Sequence, residues 1–357
     1  MRKIVDKARG YISLFDEDTG FYMRSGVFRD GKETAEDPFM AGFPELLDVG
    51  IMGHCTHGLS GLCRNSGVQC YQDGWHISQP NMAIDDLLTI AEQCQGRSYQ
   101  FALGGRGDPD QHEDFERILQ ICREYGIVPN FTSSGLGFDE GIIRACRTYC
   151  GVVAISWYGQ PYTKKAIHGL IDAGVKTNIH FVLSRDSVKK ARDLLCNEVP
   201  AGVNAVIFLL HKPIGLGRKE GLLSWEDGDL QGLFRYIDEE TFPFKIGFDS
   251  CSVPGLLRSM EHVEVHALDT CEAARWSAYV TPDMKLLPCS FDNQEERWAV
   301  DLREHTIEEA WNSPGFVQFR SSFLTSCPEC SLQKQCMGGC PICPEIVLCG
   351  DKMAVRA

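Results

Sequence analysis

The chain has 357 residues, enough for more than one domain, and 49 acidic against 35 basic side chains leave a formal charge of −14. That surplus disfavours phosphate backbones, and the longest apolar run, Ala205 to Leu210, is far too short to cross a bilayer, so neither nucleic-acid nor membrane partners are expected. In the cytoplasm, the expected location, thiols stay reduced, so 17 cysteines point to metal rather than to disulfides.

Residues 1–44 open with MRKIVDKARG, which lacks the apolar core of a secretion signal. YISLFDEDTGFYMRSG follows, alternating about an Asp-Thr-Gly turn as a β-hairpin does. From Glu45 to Phe248 strand-like and helix-like runs alternate. LLDVGIM, SYQFALGG, VPNFTSS, GVVAISWYG, VKTNIHFVLS and NAVIFLLHKP are rich in Val, Ile and Phe and bounded by Gly or Pro. NMAIDDLLTIAEQC, HEDFERILQICREYG, FDEGIIRACRTYCG, YTKKAIHGLIDAG and DSVKKARDLLCNEV carry apolar residues at three- and four-residue spacing. Such alternation implies a parallel sheet covered by helices. Six units fall short of the eight of a closed barrel. Residues 45–248 are therefore expected to form an α/β partial (β/α)6 TIM-like barrel, with a flat doubly wound sheet as the alternative. Helical periodicity fades after Phe248. Residues 249–357 read as a Cys-rich iron–sulfur domain, with TIEEAWNS as its one helix-like piece.

Cys94, Cys122, Cys146, Cys150 and Cys196 lie on apolar faces of expected helices and read as buried small hydrophobes. Cys55, Cys63 and Cys70 instead share the glycine-rich loop CTHGLSGLCRNSGVQC after the first strand. Three is odd for disulfides and one short of a structural zinc site. A [4Fe–4S] cluster held by three thiolates keeps one iron open for a small molecule, and the amino and carboxylate groups of S-adenosylmethionine (SAM) suit that place. A zinc site completed by His54, His57 or a distant residue is the competing reading.

With this loop the chain resembles the radical SAM superfamily, from about Leu47 to the C-terminus: three cysteines follow the first strand of a partial barrel, and an aromatic, Tyr71, follows the last of them. The family's usual spacing is C-x3-C-x2-C, whereas seven and six residues intervene here. A Gly-Gly-Glu-Pro-like turn binds the SAM amino group in that family. Gly104 and Gly105 match it, Arg106 takes the glutamate position, and Asp108–Pro109 follow two residues late. Arg106 would alternatively meet the SAM carboxylate bidentately. Ser133 or Ser134, Ser156, and Asn178 or His180, near later strand ends, are the expected ribose or carboxylate contacts, because ligands of such sheets sit at C-terminal strand ends.

In the tail, Cys327, Cys330, Cys336 and Cys340 follow C-x2-C-x5-C-x3-C, while Cys271 and Cys289 bracket a hairpin-like segment turning at TPDM. This resembles the SPASM extension of radical SAM enzymes, except that Met284 stands where the family has Gly. The resemblance implies two auxiliary [4Fe–4S] clusters. One would use Cys271, Cys289 and Cys340 with Cys251 as a candidate fourth ligand. The other would use Cys327, Cys330, Cys336 and either Cys349 or Cys343.

Radical SAM enzymes with such a tail mostly modify ribosomally made peptides, so a peptide maturase is the implied function. The deoxyadenosyl radical made by reductive SAM cleavage would take hydrogen from a precursor peptide, leading to a cross-link, thioether, epimerisation or splicease-type excision. An electron donor is implied as a partner. Residues 1–44 are shorter than the leader-binding module of many such maturases. A separate leader-peptide recognition protein is therefore expected, or strand addition to the hairpin. Sulfatase-type protein maturation and a zinc-stabilised binding or regulatory protein without SAM chemistry are the alternatives. Asp292 and Tyr158 are candidate hydrogen or proton donors.

Overall fold

The computed structural model describes residues 1–357 apart from 27, 30, 31, 34–37, 59, 265, 266, 326, 328, 331 and 350–357, so parts of the expected N-terminal and C-terminal segments lie outside the described residues. Strands β1 (Arg2–Asp6), β2 (Tyr11–Phe15) and β3 (Tyr22–Ser25) form an antiparallel sheet in that order. The expected hairpin is β2–β3, with Phe15 opposite Tyr22, and β1 adds a strand the sequence reading did not anticipate. A short pair follows, β4 (Phe28–Arg29) with β5 (Lys32–Glu33).

The main sheet begins with β6 (Leu46–Met52). After α1 (Leu62–Asn65) and α2 (Ile84–Cys94) come β7 (Gln100–Gly105), α3 (Phe115–Glu124), β8 (Val128–Ser133), α4 (Glu140–Tyr149), β9 (Val153–Ser156), α5 (Pro161–Asp172) and β10 (Thr177–Leu183). Then come α6 (Val188–Asp193), β11 (Ala205–Leu210), α7 (Gly228–Glu239) and β12 (Lys245–Phe248). All six expected strands are present, and β12 is a seventh parallel strand.

The tail contributes α8 (Val253–Ser259), β13 (Ser277–Val280), β14 (Lys285–Leu287), β15 (Val300–Asp301), α9 (Ile307–Trp311), α10 (Pro314–Thr325) and α11 (Gln333–Cys336). Its helices α8 and α10 correct the expectation of a single helix-like piece. In α10 the apolar anchors Phe316, Phe319 and Phe323 are fully buried. The ten-stranded sheet runs β12-β11-β10-β9-β8-β7-β6-β13-β14-β15. Strand β13 lies parallel to β6, so the tail is stitched to the first barrel strand by main-chain hydrogen bonds. The expected hairpin is β13–β14. At its turn Met284 adopts φ +68°, the left-handed conformation that explains the family's glycine there.

Alternation along the strands separates core from interior. In β10, Thr177, Ile179, Phe181 and Leu183 are buried, whereas Asn178, His180 and Val182 are half-buried on the opposite face. Thr132 Oγ1 lies 3.1 Å from His180 Nδ1 on that inner face. Burial holds the His180 pKa down at about 4, so the ring is neutral near pH 7. Cys94, Cys122 and Cys146 are buried as expected of small hydrophobes, Cys150 is half-buried, and Cys196, within a π-turn over Leu194–Glu198, is exposed.

Glu45 joins the N-terminal sheet to the barrel. It is buried, and its carboxylate accepts from Tyr11 Oη at 2.9 Å, Ser13 Oγ at 2.7 Å and Tyr22 Oη. Arg24 reaches the tail, 3.3 Å from Glu272 and 4.1 Å above the Trp276 ring. Glu45→Ala should therefore lower stability by about 2 kcal/mol, because three hydroxyls lose one shared acceptor. The midpoint of denaturant unfolding measures this, and an unchanged midpoint would show that the sheet docks by other contacts.

Candidate active site

The loop of Cys55, Cys63 and Cys70 leaves the C-terminal end of β6 and is anchored at both ends. Gly53 N donates to Asn81 Oδ1 at 3.0 Å, Gln79 N to Gly53 O at 3.0 Å and Met82 N to Ile51 O at 2.9 Å. A Cβ on Gly74 would stand 2.7 Å from the Cβ of Cys55, so only glycine lets the returning loop pack on that cysteine. Cys55 and Cys63 each have Cys70 as an electrostatic neighbour, which brings the three into one group. Burial pushes the Cys63 thiol up to about 11, and its Sγ lies 3.3 Å from Tyr158 Oη.

The turn after β7 packs against this loop. Arg106 N donates to Met52 O at 2.8 Å and its buried Nε to Gln72 O at 3.1 Å, so its guanidinium braces the chain beyond Cys70. Asp108 accepts from Ser134 N at 3.0 Å and from Ser134 Oγ. His57 Nε2 stands 3.3 Å from Asp108 Oδ2, near but outside hydrogen-bond alignment, leaving the buried nitrogen without a bonded partner. A Cβ built on Gly104 would meet nothing within 4 Å, so space opens beside it; on Gly105 it would strike Met52 O at 2.3 Å. Ser156 ends β9 beside Tyr158.

Asn178 is the exception among the expected SAM contacts. It stands at the N-terminal end of β10, accepts from Asn204 Nδ2 at 2.7 Å, and shares a small cavity with Gln100, Asn130 and Lys176, at the opposite end of the strands from the cysteine loop. The correction follows from strand polarity, since a residue early in a parallel strand lies away from its ligand end. Asp110, which the sequence reading passed over, is buried near the loop with its Oδ1 unpartnered.

In the tail, Cys251, Cys271, Cys289 and Cys340 line one cavity of about 630 Å³ between β6, β12 and β13. The Cys251 thiol is raised chiefly by its hydrogen bond with Cys340 and then by burial, and the Cys289 thiol chiefly by burial. The Cys340 thiol stands at about 11, its bond to Cys251 drawing it down while a bond to Cys343 and burial push it up. Cys343 N donates to Cys340 Sγ at 3.3 Å, and Cys343 is itself buried. The other group gathers at α11. Cys330 N donates to Cys327 O at 3.0 Å, and the Cys336 thiol, raised mainly by burial, has Cys349 and Cys327 as neighbours. Of the two contenders for the last position, Cys349 is thus the one beside Cys336, and Cys343 the one beside Cys340.

Among the described residues, no three Cys, His, Asp or Glu side chains close tightly enough on one point to hold a single ion. Thiols spread around a cavity suit a polynuclear core, where each thiolate caps a different iron. The donor set is all sulfur, and every cavity thiol is held protonated by its surroundings. Deprotonation there needs the compensating charge of a metal core.

Residues 271–341 match SPASM, an iron–sulfur cluster-binding domain. No curated protein matches the chain in sequence. Solved structures do match it in shape. Streptococcus suis SuiB bound to S-adenosylmethionine is similar with a TM-score of 0.68 at 15% identity, over 88% of this chain and 78% of that one. SuiB bound to precursor peptide SuiA gives 0.68 at 16%, over 85% and 73%. Native anSMEcpe with bound AdoMet and the Cp18Cys peptide gives 0.60 at 16%, over 85% and 91%. The chain shares the fold of these structures, and residues 271–341 carry a SPASM domain.

Asp110 gives this site a measurable signature. Burial, with the Asp108 charge second, raises its carboxyl from 3.8 to about 6. Folding is therefore unpenalised well below pH 3.8, where the group is neutral in both states, and loses stability as pH rises through about 6. Asp110→Asn should stabilise the metal-free protein at pH 7.5 by up to about 3 kcal/mol and at pH 4 by only about 0.5 kcal/mol. Thermal unfolding at the two pH values measures it, and an equal effect at both would refute the assignment.

Proposed function

We propose that the protein is a radical SAM enzyme that modifies a ribosomally made peptide. The observation that carries the reading is the grouping of Cys55, Cys63 and Cys70 on one loop at the C-terminal strand ends, with a SPASM domain behind it. Three thiolates would hold a [4Fe–4S] cluster whose open iron chelates SAM, and reductive SAM cleavage there would supply a hydrogen-abstracting radical. Gly104 leaves room beside the loop, and Gly105, Arg106 and Asp108 hold the adjoining turn against it. Ser134 and Ser156, at neighbouring strand ends, face the same region. Asp108 is engaged by Ser134, so the unpartnered Oδ1 of Asp110 is the freer acceptor for the SAM ammonium.

Cys251, Cys271, Cys289 and Cys340 would ligate the first auxiliary cluster, and Cys327, Cys330, Cys336 and Cys349 the second. With Cys251 in the group the first cluster is fully ligated by protein, which favours electron transfer over direct substrate ligation. A peptide substrate is supported by the likeness to proteins solved with peptides bound, SuiB with SuiA and anSMEcpe with Cp18Cys. A leader-recognition protein and an electron donor complete the proposed partners. No helix among the described residues is long and apolar enough to cross a membrane.

Anaerobically reconstituted protein should bind about twelve iron per chain, four for each cluster. With SAM and a strong reductant it should form deoxyadenosine. The Cys55, Cys63, Cys70 triple alanine variant should lose that product while keeping about two-thirds of the iron. Deoxyadenosine from the triple variant would refute the site, and a colourless zinc protein would favour a binding role.

A further inference from the structure

Lys212 follows the C-terminal end of β11 and is 5% exposed, a rare place for an ammonium. Its Nζ lies 2.6 Å from Asp249 Oδ2 and 2.9 Å from Leu210 O. Asp249 is fixed in turn, accepting from Leu210 N at 3.0 Å and Ser252 Oγ at 2.8 Å. Lys212 lines the four-cysteine cavity, with Cys251 and Cys340 among the groups its ammonium interacts with. On its other side lies the Phe291 ring, with its centroid 4.5 Å away. That ring also packs 4.7 Å from Tyr71, the neighbour of Cys70. Lys212 thus stands beside the cavity thiols, with Phe291 leading to the first cysteine loop.

A buried ion pair is costly to fold, and an apolar pair would often serve stability as well. The position of this one suggests another reason for it. One-electron reduction adds a negative charge to a cluster without making or breaking a bond, and a fixed cation nearby stabilises the reduced form. That attraction is little screened by salt inside the cavity, although Asp48, Glu264, Asp269 and Glu272 also line it. Asp249 and those carboxylates oppose the effect, and Arg275, whose Nη1 donates to Cys271 O at 2.8 Å, adds to it. Lys212 is the buried cation that has two of the cavity thiols as neighbours.

We propose that Lys212 is a positioning charge for the first auxiliary cluster, raising its reduction potential so that it accepts an electron more readily than the same thiolates would alone. The inference rests on the proposed ligation by Cys251, Cys271, Cys289 and Cys340. It implies that a buried charge, and not only hydrogen bonding at the sulfurs, sets the potential of this cluster.

The test is potentiometry of the reconstituted full-length protein, followed by electron paramagnetic resonance. The couple altered in Cys251→Ala identifies the cavity cluster. If iron analysis and the spectra show no such cluster in the unaltered protein, the proposed function fails in its tail and the role of Lys212 falls with it. If the cluster is present, Lys212→Met should shift its couple to a more negative potential. Lys212→Arg should keep it near the original value. Lys219→Met, which removes an exposed lysine paired with Glu345, should leave it unmoved. Should Lys212→Met fail to hold iron, Lys212→Met with Asp249→Asn removes both charges without orphaning a carboxylate. A smaller shift in the same direction is expected from that double variant. An unshifted couple in an iron-replete variant that lacks the lysine charge would overturn the proposal, as would loss of iron from both.

Discussion

A thiol buried among apolar side chains keeps its proton unless a cation compensates the charge, and this constraint governs the protein from the first loop to the tail. Burial raises the thiols of Cys55 and Cys63 in the loop and of Cys271 and Cys289 in the cavity. None is poised to act alone as a nucleophile near neutral pH, since reactivity follows the thiolate. Under the proposed ligation they would lose their protons together, to a metal core. Folding of the tail and loading of its clusters are therefore linked, because the segment after Phe248 builds on short strands and helices and gathers eight cysteines of its own among the candidate ligands.

The rest of the fold fixes where those groups stand. Parallel strands bring the loop after β6, the turn after β7 and the ends of β8 and β9 to one side of the sheet. Pairing of β13 with β6 then brings Cys271 and Cys289 to the face of the same first strand. Packing of Phe291 between Tyr71 and Lys212 links the two regions. Further ties run from the β11–α7 connection, where Leu216 N donates to Cys70 O at 2.9 Å and Arg218 N to Gln69 Oε1 at 2.6 Å. The cysteine loop is thus supported by the barrel beneath it and the tail beside it, as a preorganised site needs.

Much of this was legible in the sequence, for identifiable reasons. Buried parallel strands leave continuous Val, Ile and Phe runs, so all six barrel strands stood out, and cysteine spacing pointed to the hairpin and both tail groups. Short or weakly patterned elements were lost. Strand β12, KIGF, is only four residues, between Phe244 and Asp249, and α10 hides its buried Phe316, Phe319 and Phe323 among an exposed Val317 and Leu324. Long-range contacts were invisible as well. Spacing does not reveal that Arg106 turns to Gln72, that Cys343 caps Cys340, or that Asp110 is left with an open oxygen. Lys212 carried one signal, a cation directly after an apolar strand, that a residue-by-residue reading could have weighed. Asn178 failed because its place early in its strand was overlooked.

The central claim is that the three-cysteine loop leaves one iron open to SAM. The most direct measurement is the paramagnetic resonance spectrum of the reduced, reconstituted protein, recorded before and after SAM carrying nitrogen-15 or carbon-13 in its methionine amino and carboxyl groups is added. The account predicts a changed signal with hyperfine coupling from the labelled atoms, absent when Cys55, Cys63 and Cys70 are replaced. An unaltered spectrum with every cluster assembled, or coupling that survives those replacements, would contradict it.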